Sequence, residues 1–171
     1  YADWLAEVIE ALGLIKPHII AHSFGCRVAV KLAYARPNSV DKIVLTGAAG
    51  IIVNRTLLYH LKVGAYKLIK RIAPRFAERR FGSKEYKTLS PLQKESYKKI
   101  VNEDLRSFAT QVCNRVLLIQ GESDRVTTLK EANIYLSSFP NAKLKKMQGG
   151  HFAFAEYPLV FNLLVEEFLY G

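Results

Sequence analysis

Ser23, Asp124 and His151 carry side chains that together could perform nucleophilic catalysis. Each lies in a predicted loop directly after a predicted strand. A serine hydroxyl is a weak nucleophile until a histidine accepts its proton, and a buried carboxylate holds that imidazole in the correct tautomer and stabilises its cation. These residue types indicate acyl transfer, in which Ser23 would be the nucleophile, His151 the base and Asp124 the acid.

The segment around Ser23 has the pattern of a nucleophile elbow, a sharp strand-to-helix turn that exposes the serine hydroxyl. Ser23 stands between Ala21 and Gly25, whose small size leaves room for the turn, although glycine is the commoner residue at the first of these positions. The serine of such an elbow has a strained backbone. We expect the backbone N–H of Phe24, immediately after the nucleophile, to donate a hydrogen bond to the oxyanion.

The elements that must position these residues alternate between strands and helices, which predicts an α/β fold with a parallel sheet. Parallel strands bring their carboxyl ends to one edge of the sheet, so residues distant in sequence can meet there. We predict strands over residues 18–21, 42–47, 115–120 and 143–147, and helices over 3–12 and 26–35 and from residues 128 and 158.

The first predicted helix would be capped by Asp3 and stopped by Gly13. Its apolar residues recur at helical spacing and predict one buried face, which comprises Trp4, Leu5, Val8, Ile9 and Leu12. Two later helices have their own start signals: a capping box at Thr128 and a proline, Pro158, at a first helical position.

The composition is that of a globular protein. The 171 residues are 50% hydrophobic and 23% charged, which allows one domain and excludes a disordered chain or a disulfide scaffold. No apolar run approaches the roughly 18 residues of a membrane span, and we expect no secretory leader. Because Cys26 and Cys113 lie in apolar segments, we expect both thiols to be free in the core and the location to be cytoplasmic.

Most of the positive charge lies in one insert. Residues 51–112 hold 14 Lys and Arg against 5 Asp and Glu, which accounts for +9 of the formal net charge of +10. Helical spacing replaces the strand pattern there, with leucines on one side and lysines on the other. The basic side could attract anionic substrates or a membrane surface, but a solvated amphipathic helix has the same pattern.

The chain order serine, acid, histidine, together with the elbow, resembles the α/β-hydrolase fold over essentially the whole sequence. The resemblance implies a mostly parallel sheet flanked by helices, with a core formed by residues 1–50 and 113–171 and a helical cap, or lid, over residues 51–112. The sequence has no Gly-rich phosphate loop followed by lysine, no His-Glu-x-x-His pair and no paired cysteine cluster, so we expect neither a cofactor nor a metal. A serine at the elbow speaks against the dehalogenase and epoxide hydrolase branches, which use aspartate there.

The resemblance also favours Asp124 over its neighbour Glu122 as the acid, because the aspartate follows Gly121 at the family's spacing. By the same resemblance, His22 lines the site, and Val126 and Phe152 face the acyl pocket. Other interpretations of single residues stay open: Ser23 as a turn serine, Asp124 as a capping residue, His151 as a loop histidine, and Val126 and Phe152 as core residues.

The family's full sheet has eight strands with the elbow after the fifth, whereas here the elbow follows the first predicted strand. We therefore expect the chain to be the C-terminal part of a longer enzyme that lacks the N-terminal strands and the loop with the second oxyanion donor. The isolated chain should be a weak catalyst. The strand of residues 19–21 should have an exposed edge, covered by the missing N-terminal segment or by a homodimer partner.

The leading functional hypothesis is a serine hydrolase that acts through an acyl-enzyme, most plausibly on small-molecule carboxylic esters. Hydrolysis of amides and of carbon–carbon bonds stays open. The alternative is a non-catalytic hydrolase-fold binding module that uses its basic cap on an acidic partner. We expect no nucleic-acid partner and no membrane span.

Overall fold

The computed structural model describes residues 1–53, 71, 90, 99–100 and 102–171. The chain divides into two compact units, one formed by Tyr1–Ile51 with Asp104–Gly171 and the other by Ile52–Glu103. Most of the second unit lies outside the described residues. The helical cap predicted for residues 51–112 therefore stays a prediction, and the fold below is that of the first unit.

Four parallel strands form the sheet of the first unit, in the spatial order β1, β2, β3, β4. The two inner strands are buried throughout because helices cover both faces of the sheet, as their continuous apolar sequences predict. The strands are β1 (Ile19–His22), β2 (Ile43–Thr46), β3 (Val116–Gly121) and β4 (Ala142–Met147). The α/β architecture and the parallel sheet predicted from the sequence are confirmed.

Six helices of the described residues have defined bounds. They are α1 (Ala2–Ala11), α2 (Phe24–Ala35), α3 (Arg106–Ala109), α4 (Leu129–Ser138), α5 (Ala153–Glu156) and α6 (Pro158–Tyr170). The capping box at the start of α4, in which Thr128 and Glu131 cap each other, is confirmed, and so is the proline start of α6. Within the described ranges, no helix combines the length and apolar character that crossing a membrane requires.

Helix α1 buries a narrower face than predicted. Ala6 and Ile9 are buried, whereas Trp4 and Leu12 are 63% and 66% exposed. The helix packs against α2, and Trp4 lies beside the free edge of β1, where no described strand covers it. The predicted cap was also wrong: the helix starts after Tyr1, and Asp3 lies in its first turn.

The two cysteines differ in burial. Cys26 is fully buried in α2, where its thiol donates to the carbonyl of Ala21 and burial raises its pKa to about 12. The prediction of a core position was wrong for Cys113, which is exposed. Its neighbour Val112 occupies the buried position in the turn before β3, so the next side chain faces solvent.

Candidate active site

Strand β1 ends in the predicted elbow. Ser23 has φ 50° and ψ −112°, a left-handed conformation that costs a non-glycine residue about 1–3 kcal/mol. Two backbone hydrogen bonds hold this conformation: the Ser23 N–H donates to Thr46, and the Ala49 N–H donates to the Ser23 carbonyl. The end of β2 and the loop after it thus fix the serine at the carboxyl edge of the sheet.

Asp124 lies in the loop between β3 and α4, with its side chain fully buried. Oδ1 accepts the backbone N–H groups of Val126 and Thr127 at 2.8 and 3.0 Å, and Oδ2 accepts the hydroxyl of Thr127 at 2.8 Å. Burial alone would raise the pKa of Asp124, but these hydrogen bonds, together with that from His151, outweigh it and lower the pKa below 3.8. The carboxylate is therefore ionised at neutral pH.

His151 follows β4 and links the other two side chains. Its Nδ1 lies 2.9 Å from Asp124 Oδ2, and its Nε2 lies 3.0 Å from Ser23 Oγ. Because an ionised carboxylate can only accept, Nδ1 carries the proton and Nε2 is left with a lone pair toward the serine hydroxyl. The structure brings the three predicted residues into one hydrogen-bonded chain that can move a proton from Ser23 to His151.

Phe24, the predicted oxyanion residue, is the first residue of α2. The first N–H groups of a helix have no carbonyl of that helix to bond and carry the positive end of its dipole. The Phe24 amide is therefore suited to an anion that forms at Ser23. Its use in catalysis stays a prediction.

His22 contacts the backbone of His151 through one of its ring nitrogens. Its Nε2–H donates to the backbone carbonyl of His151 at 2.9 Å, and the two ring centroids lie 4.7 Å apart. Because a carbonyl only accepts, His22 must carry a proton on Nε2. The structure thus places this residue against the backbone of the predicted base, and a role in substrate binding stays a prediction.

Val126 and Phe152, predicted to face the acyl group, lie at the surface beside the acid and the base. They are 67% and 56% exposed, and the Phe152 ring lies 5.3 Å from the ring of His151. These exposures disagree with the alternative interpretation of both as core residues. Glu122, the rival acid, is exposed, whereas Asp124 is the carboxylate that contacts His151.

Two glycines at the site have roles that the sequence did not indicate. Gly47 ends β2 with φ 52°, and a Cβ there would lie 3.2 Å from His151 Nδ1 and 3.4 Å from Asp124 Oδ2. A Cβ at Gly121 would collide with the carbonyl oxygen of Gly150. A side chain at Gly121 would therefore clash with the backbone, and one at Gly47 would crowd the His151 and Asp124 side chains in a backbone conformation that residues other than glycine rarely adopt. The run of small residues at 47–50 is the sequence signal that could have found Gly47.

The loop that carries His151 is held by a carboxylate. Glu156 in α5 accepts a hydrogen bond from the Gly150 N–H at 2.9 Å.

Across the described part of the chain, no three His, Cys, Asp or Glu side chains form a group that could hold a metal ion.

Comparison with known proteins identifies the family of this fold. Residues 1–92, more than half of the chain, match the family model of the α/β hydrolase fold. The chain belongs to this family.

Its relatives include hydrolases. The chain is 28% identical over 192 residues to 2-hydroxymuconate semialdehyde hydrolase of Pseudomonas putida, an alignment that covers 98% of this chain and 68% of that protein. It is 23% identical over 206 residues to an uncharacterized protein of Mycobacterium tuberculosis, covering 99% of this chain and 60% of that one. The chain thus spans about 60 to 68% of the length of these two relatives.

A solved structure shares the fold. The meta-cleavage product hydrolase of Pseudomonas fluorescens IP01 superposes with a TM-score of 0.70 and 23% identity, over 98% of this chain and 70% of that one. At this identity the likeness concerns the fold alone.

Proposed function

We propose that this protein is a serine hydrolase that acts through an acyl-enzyme. The observation that supports this proposal best is the chain of two short hydrogen bonds, 3.0 Å from Ser23 Oγ to His151 Nε2 and 2.9 Å from His151 Nδ1 to Asp124 Oδ2. Nucleophile, base and orienting acid are within hydrogen-bond reach of one another, which is the geometry that nucleophilic catalysis needs.

In this mechanism Ser23 Oγ attacks the carbonyl carbon while its proton moves to His151 Nε2. Asp124 stabilises the imidazolium, and the Phe24 N–H donates to the oxyanion. His151 then returns the proton to the leaving group, and the acyl-enzyme forms on Ser23. Water, deprotonated by the same histidine, attacks the acyl carbon; the bond from this carbon to Ser23 Oγ then breaks, His151 returns the proton to Oγ, and the acid is released.

Carboxylic esters are the substrates we propose first. The exposed apolar side chains of Val126 and Phe152, which flank the acid and the base, could contact a small or medium acyl group. Hydrolysis of a carbon–carbon bond is the second candidate. It is favoured by the relative from Pseudomonas putida, whose name assigns it 2-hydroxymuconate semialdehyde as substrate.

One pair of assays distinguishes the two candidates. The full-length protein and its Ser23→Ala variant are given p-nitrophenyl butyrate and, separately, 2-hydroxymuconate semialdehyde. Ester hydrolysis with a loss of about 10⁶-fold in kcat on removal of the serine supports the first candidate. Turnover of the semialdehyde alone supports the second, and equal activity in both proteins removes Ser23 as the nucleophile. Binding to anionic lipid without any turnover would favour the non-catalytic module.

We propose further that the free edge of β1 pairs with a strand from a segment preceding Tyr1 in a longer protein. Ile20 on that edge is 53% exposed, and a groove of about 530 Å³ lined by Trp4 and Ile20 runs between α1 and β1. Without that segment the chain would lack a second oxyanion donor, a loss of about 10²–10³ in rate. A concentration-dependent dimer of the full-length protein would instead indicate that a second copy covers the edge.

We propose a cytoplasmic location. It is supported by the two cysteines, Cys26 and Cys113, both of which are free. Fluorescence of a tagged full-length protein in fractionated cells tests this location.

A further inference from the structure

Thr127 contacts both oxygens of the acid. It is 5% exposed, its N–H donates to Asp124 Oδ1 at 3.0 Å, and its hydroxyl donates to Oδ2 at 2.8 Å. A carboxylate whose two oxygens both accept hydrogen bonds from one residue cannot rotate about its terminal torsion without breaking a hydrogen bond. The side chain of Thr127 thus holds Oδ2 toward His151.

Gln120 supports Thr127 from the sheet. This residue lies on β3 and is 2% exposed, and its Nε2 donates to the carbonyl of Thr127 at 2.8 Å and to Asp124 Oδ2 at 3.3 Å. The backbone N–H of Thr128, in the same peptide unit as that carbonyl, donates to Glu131 at 2.6 Å in the capping box of α4. Hydrogen bonds therefore hold both polar groups of the peptide between Thr127 and Thr128.

The hydroxyl of Thr127 also faces the base. Its Oγ1 lies 3.3 Å from His151 Nδ1 as well as 2.8 Å from Asp124 Oδ2. A hydroxyl has one proton, and an ionised carboxylate can only accept, so that proton lies on the side of Asp124. Oγ1 therefore turns a lone pair toward Nδ1.

Two acceptors now surround Nδ1 of His151, the carboxylate oxygen of Asp124 and the hydroxyl oxygen of Thr127. Both favour the tautomer with the proton on Nδ1, which leaves Nε2 unprotonated. Only this tautomer can accept the proton of Ser23.

We propose that Thr127 is a positioning residue whose hydroxyl fixes the Nδ1–H tautomer of His151 and the orientation of Asp124, with Gln120 as its support. This inference rests on the proposed function, because it concerns the efficiency of the same triad. Thr127 contacts the acid and the base and would act through them.

The test compares three variants of the full-length protein on p-nitrophenyl butyrate. Thr127→Val removes the hydroxyl at nearly constant shape, and we expect kcat to fall by about tenfold with KM within about twofold of wild type. Thr127→Ser keeps a hydroxyl and should stay within about threefold of wild type. Thr110→Val is the matched control, because Thr110 is exposed and its hydroxyl donates to the carbonyl of Ser107, one turn away in the same short helix end.

A spectroscopic measurement reads the tautomer directly. The ¹⁵N shifts of His151 in wild type should be those of the Nδ1–H form alone, and Thr127→Val should add a population protonated on Nε2. Thermal unfolding by circular dichroism reports whether each variant folds. Should Thr127→Val not fold, Thr127→Ala, which also lacks the hydroxyl, carries the same expectation.

Three outcomes decide the inference. Wild-type kcat and unchanged ¹⁵N shifts in Thr127→Val overturn it, and so does an equal loss in Thr127→Ser, because the hydroxyl would then not be the cause. A tenfold loss restored by serine supports it. Ser23→Ala tests the proposed function separately from the inference about Thr127. If that variant stays active, the proposed function fails, whatever the threonine variants do.

Discussion

The ends of β1 and β3 hold the two outer members of the triad in opposite ways. Ser23 has a strained backbone with φ 50°, fixed by main-chain hydrogen bonds, and its side chain is only half-buried. Asp124 is buried, and both of its oxygens accept hydrogen bonds from its own loop. The difference suits the roles proposed for them, because a nucleophile must reach substrate, whereas a supporting carboxylate must keep one charge state and one orientation.

Asp124→Asn should cause the largest loss of activity that we predict for the residues at the end of β3. The asparagine amide can present an N–H to Nδ1 and favour the wrong tautomer of His151, so kcat should fall by about 10⁴. Steady-state ester hydrolysis measures this. Glu122→Gln is the matched control, because removing the charge of that exposed carboxylate should leave kcat unchanged. A comparable loss of kcat in both variants would show that catalysis depends on negative charge near the loop rather than on contact with His151.

Gly47→Ala tests how closely the end of β2 approaches His151 and Asp124. The new Cβ would crowd His151 Nδ1 and Asp124 Oδ2, and displacement of the base by about 1 Å can cost about 10² in kcat. Gly13→Ala provides the control for backbone strain, because Gly13 also has a positive φ, 64°, but no atom within 4 Å of its Cβ position. Both variants should lose stability, and only the first should lose activity. Equal activity in the two would mean that the site tolerates a methyl group there.

His22→Leu tests how the elbow side orients the base. It removes the hydrogen bond to the carbonyl of His151, and we expect kcat to fall by about fivefold. His22→Gln can place an amide N–H near the same carbonyl and should recover most of the loss. If the main effect is on KM, His22 contacts substrate instead.

The smallest effect we predict is on stability at low pH. The pKa of Asp124 is lower in the folded protein than its ordinary value of 3.8, so the carboxylate stabilises the fold above that value and loses this contribution as the pH falls through its folded pKa. The difference in unfolding free energy between wild type and Asp124→Asn should therefore shrink below about pH 4. Urea titrations at pH 7 and pH 3 measure it. A constant difference would mean that the carboxylate's charge does not contribute.

Local patterns in the sequence predicted the parts of the site that depend on local geometry. The small residues around Ser23 predicted the elbow, and the apolar runs predicted four strands to within about two residues at each end. The order of serine, acid and histidine then predicted that their loops meet, because parallel strands end at one edge.

Features set by distant neighbours could not be predicted. Helical spacing showed that α1 has an apolar side, but Trp4 is exposed because burial depends on which element lies opposite. Thr127 was missed because a threonine three residues after an acid is common in loops. Only the positions of Asp124 and His151 give its hydroxyl two partners.

The central claim is that Ser23 is an activated nucleophile, and covalent labelling tests it most directly. The folded full-length protein is treated with a fluorophosphonate probe at neutral pH, digested and sequenced by mass spectrometry, with Ser23→Ala treated in parallel. We predict a single adduct on the peptide that contains Ser23 and none in the variant. A folded protein that stays unlabelled, or an adduct that persists in Ser23→Ala, would contradict the account.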